Sequence, residues 1–139
     1  MGHRDSAATR TGHRMTEIGK RFTFNAAHWL PYVALDHKCR RMHGHTYGVE
    51  VVCAGNLING MVCDYAEITM AWEALREQLD HRTLNDVHGL DNPTAELLAQ
   101  WIASRLQLPL LVLVRVSETP DTWATVSAGG SQADGTDQR

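Results

Sequence analysis

From Ile18 to His28 the even positions read Ile18, Lys20, Phe22, Phe24, Ala26 and His28, against Gly19, Arg21, Thr23, Asn25 and Ala27 at the odd ones. Alternation with a period of two marks a half-buried strand, and it puts His28 on the face of both phenylalanines. Residues 29–38, which contain Pro31, read as a loop. A second strand runs from His43 to Ala54, with Tyr47, Val49, Val51 and Cys53 in phase with His43 and His45. Gly55-Asn56 and Asn59-Gly60 are turn signals, and a shorter strand is expected over Met61 to Asp64.

The period then changes. Between Ala66 and Leu79, the residues Ile68, Ala71, Trp72, Leu75 and Leu79 recur at steps of three and four, which is one face of a helix. A second helix is expected to open at Asn92-Pro93, with Asn as N-cap and Pro at the first helical position, and to stop at Pro109. Ala95, Leu98, Ala99, Ile102 and Leu106 supply its buried face. Leu110 to Ser117 is apolar enough for a strand buried on both faces, and Trp123 to Val126 reads as a last short strand after the turn Glu118-Thr119-Pro120-Asp121. The order β-β-(β)-α-α-β-β predicts an α+β layer: an antiparallel sheet with two helices on one face. Such a sheet leaves an open face and two edges, which favours oligomerisation. Residues 1–15 and 127–139 read as disordered tails around one domain over 16–126.

Composition narrows the picture. The chain has 139 residues and a net charge of -3, from 13 basic and 16 acidic side chains, which argues against broad binding to nucleic acid or a membrane surface. Three cysteines, Cys39, Cys53 and Cys63, form no disulfide framework; with no apolar span and no secretory leader, a cytoplasmic location is expected.

The densest chemistry lies in Lys38-Cys39-Arg40-Arg41-Met42-His43-Gly44-His45. His43 and His45, two apart on a strand, point to one side, and a return from His28 brings a third imidazole alongside. Three neutral imidazoles and one open position are the layout of a catalytic zinc site. The alternative for Cys39 is a fourth ligand, closing a structural site. Cys53 and Cys63 read as small core residues. His3 and His13 read as tail residues, His37 and His88 as solvated, and Arg82 as surface. Taken alone, Asp80-His81 would be polar residues at a helix end. Glu118 could be an exposed strand-end residue and Thr94 a helix cap. Lys38, Arg40 and Arg41 form the basic cluster an anionic substrate would meet.

In order along the chain stand Phe24-Asn25-Ala26-Ala27-His28, Cys39-x-x-x-His43-Gly44-His45-x-Tyr47, Gly60-Met61-Val62-x-Asp64-Tyr65, Leu79-Asp80-His81-x-x-Leu84-Asn85, Asn92-Pro93-Thr94-x-Glu96 and Val116-Ser117-Glu118-Thr119. Over residues 16–126 this set resembles the 6-pyruvoyl-tetrahydropterin synthase / 6-carboxy-tetrahydropterin synthase family. The resemblance implies a tunnelling (T-) fold, in which subunits join their sheets into a barrel and two rings stack as a hexamer with active sites at subunit interfaces. It implies Zn2+ on His28, His43 and His45, a catalytic triad of Cys39, Asp80 and His81, and Glu118 as anchor of the pterin ring. Thr94 would donate to that ring from another subunit, and the triphosphate would meet Lys38, Arg40 or Arg41, with Lys38 the candidate named for it. Three residues between Cys39 and His43 resemble the bacterial carboxy type. That type converts 7,8-dihydroneopterin triphosphate to 6-carboxy-5,6,7,8-tetrahydropterin, acetaldehyde and triphosphate, a step of 7-deazapurine (queuosine or pyrrolopyrimidine nucleoside) synthesis. A pyruvoyl product and a non-catalytic, zinc-stabilised oligomerisation module remain the alternatives. One departure is Val126, where the family often has Tyr after Trp-Ala-Thr.

Overall fold

The structure, a computed structural model, describes residues 14–128. Most of both expected tails, His3 and His13 included, lies outside the described residues. Strand β1 spans Thr16–His28 and β2 spans His43–Gly55. They pair antiparallel over their full length, from Thr16 opposite Gly55 to His28 opposite His43. The alternation read from the sequence is therefore met: Phe24 faces Tyr47 and Phe22 faces Val49 across the ladder. The Phe24 and Tyr47 rings stack with centroids 4.9 Å apart.

Helix α1 covers Tyr65–Leu79. Asp64 opens it with a capping box, its carboxylate accepting from the helix backbone while the Glu67 side chain returns to the Asp64 N–H. Met61 to Asp64 does not form the expected strand. Asn59 and Gly60 take positive φ values of 54° and 80° and close a tight turn, leaving one bridge between Ile58 and Met61 before Asp64 is committed as cap. Past α1, a two-residue strand, β3 at Arg82–Thr83, pairs parallel with Ala26 and Ala27 of β1.

Helix α2 covers Ala95–Arg105 and starts later than the expected Asn92-Pro93, on an N-cap at Thr94 whose hydroxyl accepts from the Leu97 N–H at 3.1 Å. Pro93 stays outside the helix, and its carbonyl accepts from His28 Nδ1 at 2.8 Å. The helix also ends before Pro109, with Leu106 extended as C-cap.

Strands β4, Leu111–Thr119, and β5, Thr122–Ser127, form the closing hairpin, one residue past the expected domain limit at 126. The sheet order is β3-β1-β2-β4-β5. Ile68, Trp72, Leu75 and Leu79 of α1, and Leu98, Ala99, Trp101 and Ile102 of α2, share one core cluster with Phe24, Tyr47, Val49, Val51, Val114 and Val116 of the sheet. Both helices therefore cover one face. The other face is polar: Glu50 accepts from Arg21 at 2.9 Å and from Arg115 at 3.4 Å, and Arg115 reaches Thr125 at 3.0 Å.

Candidate metal centre and neighbouring cleft

His28 is the last residue of β1, and His43 and His45 open β2 directly across the ladder. Asn85 pins the next residue: its side chain accepts from the Trp29 N–H at 3.0 Å and donates to the Trp29 carbonyl at 2.7 Å. One ring nitrogen from each histidine lies within 4.8 Å of the other two.

The hydrogen bonds fix which nitrogens those are. A carbonyl oxygen only accepts, so His28 Nδ1 donates to Pro93 (2.8 Å) and His43 Nδ1 donates to the Arg41 carbonyl (2.7 Å). In the neutral rings both Nε2 atoms then carry lone pairs, yet they stand 3.0 Å apart. His45 Nε2 is buried with no hydrogen-bond partner. Burial is the main cause that lowers the pKa of His28 and of His45, so both favour the neutral form that ligates metal. Converging lone pairs with outer N–H groups tied to carbonyls suit a divalent cation, whose ligands at about 2.0–2.1 Å would be roughly 3.3 Å apart in a tetrahedral site.

Glu118 on β4 faces this cluster, its oxygens 3.8 Å from His28 Nε2 and 3.9 Å from His45 Nε2. At those lengths it lends negative potential rather than a hydrogen bond. Tyr47, two residues beyond His45 on the same strand face, has a buried hydroxyl without a partner. Burial, and then the Glu118 charge, push its phenol pKa upward, so it stays protonated. The in-phase spacing His43, His45, Tyr47 was the sequence signal for this third group.

Cys39 lies half-buried in the 3-10 turn Lys38–Arg40. Its N–H donates to His37 Nδ1 at 3.0 Å and its carbonyl accepts from the Leu30 N–H at 2.8 Å. His37 is exposed, as expected, and its ring also caps the turn. Among the described residues, the group that could hold a metal consists of three ring nitrogens and no sulfur.

Asp80 and His81 stand together at the end of α1. Asp80 Oδ1 accepts from the Asn25 N–H at 2.9 Å, and its Oδ2 lies 3.0 Å from His81 Nδ1 and 3.3 Å from Arg76. The Asn25 N–H is the largest cause holding the Asp80 carboxyl below its ordinary pKa, with His81 and Arg76 adding to it against burial. His81 adopts φ 59°, and its N–H donates to the Asn25 carbonyl at 2.6 Å. This left-handed residue breaks the chain out of α1 into β3 and leaves the imidazole 78% exposed. His81 and His45, with Asn25, Thr46 and Thr83, line one open cleft of about 560 Å³. Among the described residues no hydrogen bond or ion pair links Cys39 to Asp80 or His81. Lys38 is exposed beside Cys39, and Thr94 is the α2 cap next to the carbonyl that holds His28.

A small α+β chain that gathers three imidazoles at the open end of its first hairpin, with an acid–imidazole pair on an adjoining cleft, belongs to the class of compact metal-competent sheet proteins. Comparison with known proteins makes that particular. The family described as 6-pyruvoyl tetrahydropterin synthase matches residues 17–129, and the chain belongs to that family. It is 39% identical over 112 residues, 73% of this chain and 85% of the relative, to 6-carboxy-5,6,7,8-tetrahydropterin synthase of Synechocystis sp.. It is 36% identical over 87 residues, 63% of this chain and 71% of the relative, to dihydroneopterin monophosphate aldolase of Pyrococcus furiosus. Its fold superposes on 6-pyruvoyl tetrahydropterin synthase of Caenorhabditis elegans with a TM-score of 0.75 at 26% identity, covering 83% of this chain and 96% of that one. The T-fold subunit expected from the resemblance is therefore present.

Proposed function

We propose that this chain is a zinc-dependent carbon–carbon lyase of the 6-carboxy-5,6,7,8-tetrahydropterin synthase type. It takes 7,8-dihydroneopterin triphosphate and water to 6-carboxy-tetrahydropterin, acetaldehyde and triphosphate, in the cytoplasm, as a step toward 7-deazapurines. The observation that carries this reading is the convergence of the His28, His43 and His45 ring nitrogens with the Cys39 sulfur outside the set. The three-residue gap from Cys39 to His43 and the 39% identity to a synthase of that name support the carboxy product.

Zinc on those three nitrogens would supply Lewis acidity toward the hydroxyls of the substrate side chain. Cys39 as thiolate accepts a proton from that side chain. Asp80 holds His81 by Nδ1, which leaves Nε2 free to exchange a proton on the solvent side. The carboxylate of Glu118 accepts from the N–H edge of the pterin ring, a bidentate pairing. Thr94, although its oxygen accepts from Leu97, keeps a hydroxyl proton to donate. Lys38 meets the triphosphate. Cys39 and the Asp80–His81 pair share no direct link within one chain, so a neighbouring subunit completes each site in a hexamer whose sheets join into a barrel.

The 36% identity to an aldolase favours a second reading, carbon–carbon cleavage of dihydroneopterin monophosphate. Incubation with each pterin phosphate, following acetaldehyde and the pterin product, separates the readings. Acetaldehyde with a 6-carboxy product from the triphosphate supports the synthase. A pyruvoyl product, cleavage of the monophosphate alone, or no turnover sinks it in favour of the pyruvoyl type, the aldolase or a structural zinc module, respectively. Cys39→Ala should keep zinc and lose about 10²–10⁴-fold in turnover, whereas His43→Ala should lose both metal and turnover.

A further inference from the structure

The eight-residue stretch around Cys39 carries three cations, and the structure divides their work. Lys38 and Arg41 are exposed. Arg40 is half-buried and turned inward: its Nη1 donates to the Pro31 carbonyl at 2.6 Å and to the Val33 carbonyl at 3.1 Å. Both acceptors lie in the loop that leads into the cysteine turn. That loop is tied to the turn at a second place, where the Leu30 N–H donates to the Cys39 carbonyl at 2.8 Å. With the Cys39 N–H on His37 Nδ1, both backbone polar groups of Cys39 are occupied by the same loop.

We propose that Arg40 is a positioning residue for Cys39 rather than a contact for the substrate's triphosphate. This rests on the reading of Cys39 as the proton acceptor. A guanidinium is a planar fork of fixed donors, and that shape suits the role. One arm gathers two carbonyls that have no secondary-structure partner and holds the strap that faces Cys39. With Nη1 on two carbonyls, the guanidinium can swing outward to a phosphate only by releasing the loop it holds. The anion is left to the outward-facing Lys38 and Arg41.

The test compares Arg40→Ala, Arg40→Gln and Arg40→Lys on the zinc-loaded protein. Displacing a reacting group by about 1 Å costs on the order of a hundredfold in rate. Arg40→Ala should therefore lower kcat by up to about a hundredfold with KM little changed, and the inhibition constant of inorganic triphosphate should stay as in the parent. Gln, which keeps a donor without the charge, and Lys should each recover part of kcat. Alkylation of Cys39 by iodoacetamide, followed on its own peptide by mass spectrometry, should speed up in Arg40→Ala and return toward the parent rate in the other two. Zinc content should not change. A rise of tenfold or more in the triphosphate inhibition constant, with kcat and the alkylation rate untouched, would overturn the proposal. So would parent-like kcat and alkylation in all three variants. The alkylation arm needs no turnover: if the parent fails to act on the pterin triphosphate, the lyase reading falls while Arg40's hold on the cysteine turn is still decided. If Arg40→Ala does not fold, Gln and Lys carry the same comparison.

Discussion

At Asp80 the chain keeps a carboxylate ionised with backbone rather than with a salt bridge alone. Its folded-state pKa is depressed, so the sign is that of a group whose stabilisation is present above its unfolded pKa and lost as pH falls through the folded one. Asp80→Asn, which keeps an acceptor for the Asn25 N–H but drops the charge, should melt below the parent at neutral pH. The gap in Tm should close as pH falls below about 4, the ordinary range of an aspartate. A gap that persists unchanged at low pH would mean that the charge is not what matters. Without the family resemblance, Asp80-His81 read only as polar residues at a helix end. The backbone of Asn25, which holds both, lies 55 residues earlier and has no side-chain signature in the chain. By contrast, His28, His43 and His45 were legible because strand periodicity alone sets which way a side chain points. Arg40 was not, since the same residue type serves a phosphate or a carbonyl and only the fold of the loop decides.

Among the elements, β1, β2, α1 and the closing hairpin followed their hydrophobic period, whereas the ends of α2 did not. Asn92-Pro93 carries a good starting signal, but in the structure the Pro93 carbonyl accepts from His28 Nδ1 and lies ahead of the helix. The start moves to Thr94, whose hydroxyl takes the cap. Thr94→Ala should therefore cost about 1 kcal/mol in urea unfolding, with Thr94→Ser restoring most of it. If Ala is neutral to stability and alters only KM, the hydroxyl belongs to the substrate alone. Strand β3 was invisible for a different reason. Two residues carry no period, and the strand exists because His81 turns the chain so that Arg82 and Thr83 lie beside Ala26 and Ala27.

On the scale of the whole molecule, the sheet is covered by helices on one side and ends in β5 as an edge strand. Trp123 on that edge is 64% exposed, and Leu57, Ile58, Met61 and Tyr65 add further exposed apolar surface near the α1 cap. An edge of this kind invites pairing with another sheet unless a charge guards it. If the proposed hexamer forms through this edge, Trp123→Lys should shift sedimentation toward smaller species. An unchanged assembly would place the contact elsewhere.

The hairpin of β1 and β2 has a further consequence for how the molecule reaches this shape. A slip of one residue along the ladder would turn His43 and His45 to the side of the sheet away from His28. A cation held by the three nitrogens while the chain folds would act as a proof-reader, fastening copies in this alignment over those slipped by one residue. Refolding from denaturant should recover more native protein with Zn2+ than with a chelator, and His43→Ala should abolish the difference.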